Sequence, residues 1–554
     1  MKAKKLCAAL LSLMLVVGGL SGCGGGGGDN AKVEYDDGYG ENVLRITYDH
    51  ECESGDVRQT TGDYIIPMNC FDTLVQTVST DDGSSEIQPC AAEKWEVSPD
   101  GLTYTMHLRK GIKFTNGEEM TSDDVLYTVD SMLDPERATM NYYWMDMLAG
   151  AKDVLDGKAK SVEGKGIIIH DDYTFDIVLE DSYAPFLSTL SVPAWVILNR
   201  EACDEGDKAG KGKKTTLFGS EPEYTVGSGP FILKEWVLND HIYLEANKDY
   251  WQGAPKIDGI LIKVVTDTET EKMLFESGQT DIFDLDNDRS LIPTYRDDAD
   301  WSDNMVSKVI MGGDYLVINE NIKPLNDVKV RKALQKAIDR QAIIDSLYEG
   351  TGTLAKGIFP PTLVCYNDQL PDIEYDPEGA KELLKEAGYE NGFKMTLAKK
   401  ATDKGEALEA IQDQLKEVGI EVEIESVDEA SYYDIRGNGE LASHEEVWWA
   451  DFNDPDNFLY TYFATATTKE RSINYYNKDI IKRVEAARHM SDEDARMKEY
   501  LELEKQIIVE DAAFVPLWHT EKIRLVQDRV KGFIPHWAGW GDCSYYSVEL
   551  DAAE

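Results

Sequence analysis

The chain has 554 residues, with 104 Asp plus Glu against 56 Lys plus Arg and a formal net charge of −48. At roughly 150 residues per domain it is too long for one hydrophobic core, and an aromatic content of 10% argues for packed structure over an acidic disordered solubiliser. The surplus of acid argues against nucleic acid or an anionic bilayer surface as a non-specific partner.

The N-terminal residues decide the compartment. Lys2, Lys4 and Lys5 form a basic start, and the apolar stretch 6–20 is shorter than the roughly 20 residues of a spanning helix. Residues 1–22 therefore read as a signal peptide. Leu20-Ser21-Gly22-Cys23 resembles the lipobox at which bacterial lipoproteins are cleaved and lipidated on the new N-terminal cysteine, here Cys23. Residues 23–40, opening on the glycine run 24–28, read as a flexible tether. No later segment approaches 18 uninterrupted apolar residues, so the body is expected outside the cytoplasm, lipid-anchored to the outer face of the bacterial cell membrane. Cys7 leaves with the signal and Cys23 carries the lipid; the six other cysteines are too widely spaced to specify a disulfide pairing.

Along the body, 43–48 alternates like a strand, and so do Leu102, Tyr104, Met106 and Leu108, with Asn116-Gly117 as a tight-turn signal. Thr121 with Asp124 three residues on marks the start of a helix that Pro135 ends. Alternation returns at Phe175, Ile177 and Leu179 and again over 231–244, while 206–216, with Lys208, Lys211, Lys213 and Lys214 among glycines, reads as a solvated loop. The second half is predicted to carry a helix from Asp327 to near Gly350, a helix opened by Asp376-Pro377 and stopped at Gly388, and a third ending at Gly419. The third runs straight into alternating Ile420, Val422 and Ile424, which makes a strand–helix–strand unit. A long helix spans about 492–509, followed by β-like runs at 515–517 and 523–526.

The familiar catalytic signatures H-E-x-x-H, G-x-S-x-G, G-x-x-x-x-G-K-[ST] and C-x-x-C are absent from the sequence, and Gly227-Ser228-Gly229 reads as a tight turn, not a phosphate cradle. One cluster stands out: Val447-Trp448-Trp449-Ala450-Asp451-Phe452-Asn453-Asp454-Pro455-Asp456-Asn457-Phe458. It is poor helix material and reads as a loop projecting large rings and a carboxylate together. Tryptophan supplies apolar area plus one N–H donor, which suits both ligand clefts and cores.

The blocks 69–76 (NCFDTLVQ), 89–135, 225–260 (opening TVGSGPFILKEW), 327–339 (DVKVRKALQKAID) and 448–458 resemble the family 5 solute-binding proteins. These are the extracytoplasmic receptors of ABC importers for dipeptides, oligopeptides and nickel. The resemblance implies an α/β, two-lobed periplasmic-binding-protein-like fold (type II, cluster C) with an additional third domain. It divides the chain into a first lobe of 41–75, 176–268 and 512–554, an extra domain of 76–175, and a second lobe of 269–511. It also implies a monomeric binding protein and not an enzyme, without cofactor or bound metal, that hands its solute to ABC transporter permease subunits.

In the peptide binders of the family an aspartate takes the peptide's α-amine, and by the matching motif that residue is Asp451, with Asp454 and Asp456 as neighbours. The apolar walls implied are Trp448 and Trp449, together with Tyr142 or Tyr143 from the extra domain and Trp518 or His519 near the returning strand. Many relatives have glycine near the start of this motif where this chain has Val447, Trp448 and Trp449, which keeps an oligosaccharide or a nickel complex open beside a peptide. A sensor built on the same fold and a lipid-anchored hydrolase are the competing classes.

Overall fold

The structure, a computed structural model, describes residues 35, 37–79, 85–538 and 544–551. The signal peptide, Cys23, the first part of the tether and Cys543 lie outside the described residues. Strand Val43–Tyr48 runs parallel to Gly259–Val264, which pairs antiparallel with His241–Ala246 and through it with Phe231–Val237. A second four-stranded sheet is ordered Ala92–Val97, Thr103–Leu108, Thr174–Val178, Ile167–Asp171. Period-2 alternation buries Tyr104, Met106 and Leu108 on one face of this sheet. Helix Ser122–Leu133 starts as expected: the Asp124 carboxylate accepts from the Thr121 backbone N–H at 2.9 Å.

The largest sheet has six strands in the order Thr353–Leu354, Phe514–His519, Gly312–Ile318, Ser443–Trp449, Phe393–Lys400, Ile420–Val427. Every residue of Gly312–Ile318 is buried, because helices cover both faces. Leu316 and Ile318 pack with helices Val328–Ala337, Arg340–Leu347 and Glu406–Glu417, whereas Tyr315 and Val317 pack with Asp456–Phe463, Lys478–Ala487 and Glu493–Lys505. The strand–helix–strand unit is present: Phe393–Lys400 and Ile420–Val427 pair in parallel across helix Glu406–Glu417. The all-buried strand Phe514–His519 pairs with Gly312–Ile318 on one edge and Thr353–Leu354 on the other. The returning segment, assigned by resemblance to the first lobe, thus contributes its first strand to the sheet of the second. Further on, Arg529 ties the tail to Asp281 and to the carbonyl of Val43.

Three local expectations change. The helix predicted from Asp327 to near Gly350 is two helices, because Asp339 starts the second by accepting from the Ala342 N–H at 3.0 Å while its own N–H is taken by Gln414. The solvated loop at 206–216 is helical through its first residues: Asn199 caps helix Arg200–Gly210, and Lys213 pairs with Asp134 and Glu136. Trp448 and Trp449 are not in a loop but end strand Ser443–Trp449, so their rings leave on opposite faces of the sheet. Gly227 and Gly229 serve a close approach: a Cβ on either would sit 1.8 or 2.5 Å from the Cys70 carbonyl group, to which the Gly229 N–H donates. Cys70, Cys90, Cys203 and Cys365 are buried free thiols. Among the described residues no helix is long and apolar enough to cross a membrane.

Candidate ligand-binding site

Strand Ser443–Trp449 is fully paired on one edge by Gly312–Ile318. On its other edge Phe393–Lys400 reaches it only at Ala398–His444, so among the described residues no strand lies beside the edge of 445–449. At the end of that edge the chain turns through Ala450 to Asp451 and opens a cavity of about 740 Å³, walled by Trp448, Asp451 and Phe452 on one side and by Tyr143, Trp144 and Tyr183 on the other.

Asn457, on the first turn of helix Asp456–Phe463, organises the motif. Its Oδ1 accepts from both the Trp448 indole N–H and the Asp451 backbone N–H at 3.1 Å, and its Nδ2 donates to Asp451 Oδ2 at 3.2 Å. Asp451 is half-buried on the cavity wall. The Tyr143 hydroxyl is pushed up to about 12 by burial and by the Asp451 charge. The Arg471 guanidinium stacks 4.9 Å from the Trp448 ring centroid and pairs behind it with Glu446. Burial alone would raise Glu446, but the His444 hydrogen bond and the charges of Arg471 and Arg436 hold it down at about 2.

The neighbouring aspartates have structural partners. Asp454, 3% exposed, takes a bidentate pair from Arg496 at 2.9 and 2.7 Å. Asp456, 2% exposed, accepts from Arg488, Tyr183 and Tyr500 at 3.0–3.1 Å. Burial lowers Arg488, yet Asp456, Tyr183 and Tyr460 together raise it above its ordinary value. Both arginines on the cavity wall, Arg471 and Arg488, are therefore already paired with acids, while Asp146, Glu180, Asp181 and Glu470 add to the negative lining. The wall favours a cationic group.

Of the residues named from the sequence, Trp448, Asp451 and Tyr143 meet at this cavity. Trp449 is 42% exposed on the opposite face, and Tyr142, in the short turn Met140–Trp144, is 43% exposed beside the cavity wall formed by its neighbours. Trp518 and His519 are 1% exposed in the six-stranded sheet; burial pushes His519 down to about 4, and its Nδ1 lies 2.9 Å from the Gly312 carbonyl oxygen. Sequence reasoning gave no role to Asn457, although it stands inside the cluster 447–458, and did not name Arg471. An amide one turn into the helix after an acidic turn was the available signal for Asn457; Arg471 gave none.

The fold and this cavity are of the kind a solute-binding protein uses. Residues 86–470 match the family model described as bacterial extracellular solute-binding proteins, family 5, and the chain belongs to this family. It is 32% identical over 468 residues to the dipeptide-binding protein of Escherichia coli, covering 82% of this chain and 84% of that one. It is 31% identical over 488 residues to heme-binding protein A of Haemophilus influenzae, covering 85% of each. Among solved structures, the periplasmic binding protein DppA of Helicobacter pylori in complex with the peptide STSA superposes with a TM-score of 0.72 at 30% identity, covering 92% of this chain and 98% of that one.

Proposed function

We propose that this protein captures a peptide by its free α-amine, closes its lobes over it and delivers it to an ABC importer. The observation that carries the reading is Asp451, held by Asn457 on the wall of a cavity whose arginines are already paired. A carboxylate accepts charge-assisted hydrogen bonds from an ammonium, and the unpaired edge at 445–449 offers backbone groups for an added strand. A ligand presenting carboxylates to this wall, as a heme does through its propionates, meets like charge. Among the described residues no group of three His, Cys, Asp or Glu is gathered to hold a bare metal ion.

Magnitudes show why the strand edge matters. Unit charges 4 Å apart attract by roughly 4 kcal/mol at an effective dielectric of 20, whereas reversing an open-to-closed ratio from 1:99 to 99:1 needs about 5.5 kcal/mol. Backbone hydrogen bonds of about 1 kcal/mol each and the Trp448 wall supply the remainder. The test is calorimetric titration of native protein and Asp451→Asn with a free-amine peptide and its N-acetylated form. The free-amine peptide is expected to lose about 2–5 kcal/mol and the acetylated form little; equal losses would remove Asp451 from this role.

The body reaches its place, in this reading, through the signal peptide and diacylation at Cys23, since one acyl chain anchors only marginally. Cys23→Ser is expected to release processed protein from the membrane fraction; retention there would refute the anchor.

A further inference from the structure

A second cavity of about 780 Å³ lies on the other face of strand Ser443–Trp449, toward its N-terminal end, between Glu445, Asp314, Tyr348 and the loop after Phe393–Lys400. Register explains its floor. Asp314 is opposite Val447 and Leu316 opposite Glu445, so Asp314 and Glu445 are diagonal neighbours on one face, the face away from Trp448. Asp314 is 6% exposed, and one of its carboxylate oxygens accepts from the Thr520 hydroxyl at 2.7 Å.

Four of the five cations lining this cavity are engaged elsewhere, and the fifth, Lys404, sits on the loop after Phe393–Lys400. Arg289 pairs with Asp286, Lys400 with Asp403 and Arg436 with Glu446, and Lys399 donates to the carbonyls of Lys400 and Asp403. Among the described residues no lysine or arginine stands within ion-pair distance of Glu445 or Asp314. Two acids side by side on a cavity wall, neither in an ion pair among the described residues, offer carboxylate oxygens to a ligand cation.

We infer that the second cavity is a specificity pocket for a basic side chain of the bound peptide, with Glu445 and Asp314 as its recognising acids. The inference rests on the peptide reading above. A peptide added along the edge of 445–449, its amine at Asp451, sends alternate side chains to opposite faces of the sheet. Those on the Trp448 face stay beside the first cavity; those on the other face enter the second. Burial, and then the charges of Asp314 and Asp403, push the Glu445 carboxyl up to about 8, so near pH 7 it holds a proton that an arriving ammonium displaces. The Tyr348 hydroxyl and Arg289 face the same acids from the remaining walls.

The experiment walks one lysine through positions 2 to 4 of tetra-alanine and titrates each peptide into the native protein and into Glu445→Gln. A parallel series carries glutamate in place of lysine. At one position lysine is expected to tighten binding at least tenfold over alanine, with proton release seen in buffers of different ionisation enthalpy. That lysine-to-alanine ratio should collapse in Glu445→Gln. Binding of tetra-alanine with no lysine preference, or with glutamate equal to lysine, overturns the pocket and leaves the peptide reading standing. Binding of dipeptides alone has the same meaning. If no free-amine peptide binds the native protein, the peptide reading itself fails and the inference falls with it.

Discussion

On the Trp448 face of strand Ser443–Trp449 the deep acids are matched, Asp454 by Arg496 and Asp456 by Arg488. On the Glu445 face, Arg289, Lys400 and Arg436 serve other acids, and Glu445 and Asp314 front an open chamber. The difference teaches that the number of acids in a wall says little about binding in a chain with 104 of them. What separates architecture from recognition is whether the protein supplies the counter-ion itself.

The comparison breaks most visibly at the matched acids. Arg496→Ala strands the Asp454 carboxylate in the interior and is expected to cost about 3–5 kcal/mol of unfolding free energy, measured by denaturant unfolding without ligand. A cost below about 1 kcal/mol would mean that Asp454 does not depend on its pair. Glu446 sharpens the same point with pH. Its carboxyl is held at about 2 against an ordinary 4.5, so its contribution is present above pH 4.5 and lost as the pH falls toward 2. Its size is about 3 kcal/mol. In Glu446→Gln the acid limb of stability between those values should flatten; an unchanged limb would assign it to another group. The smallest effect is on orientation. Asn457→Ala frees Asp451 and the Trp448 indole from their shared partner and should weaken free-amine peptide binding on the order of tenfold, one to two hydrogen bonds' worth. Calorimetry checks it, and unchanged affinity would show that the motif holds its shape without the amide.

Local chemistry was legible in the sequence where its partners are near in the chain. The Thr121–Asp124 box, the Asp376-Pro377 helix start and the helix stop at Gly419 each depend on residues within one or two turns. The break at Asp339 was missed because the deciding contact, with Gln414, lies 75 residues away. In the candidate site, the motif led to Asp451, which lines the cavity. The separation of Asp454 and Asp456 from it was not legible, since their arginines stand 42 and 32 residues along the chain. The two adjacent tryptophans looked like one wall because composition cannot show that a strand runs through them and sends one ring to each face.

Asp456 gathers Tyr183 from the segment after Thr174–Val178, Arg488 from the end of helix Lys478–Ala487, and Tyr500 from helix Glu493–Lys505. Three stretches of chain thus answer to one carboxylate, and a single replacement there must satisfy all of them at once. Asp451 and Glu445 each line a cavity. A replacement at Asp456 therefore disturbs three segments of the fold before any solute arrives, and its effect is read in stability ahead of affinity.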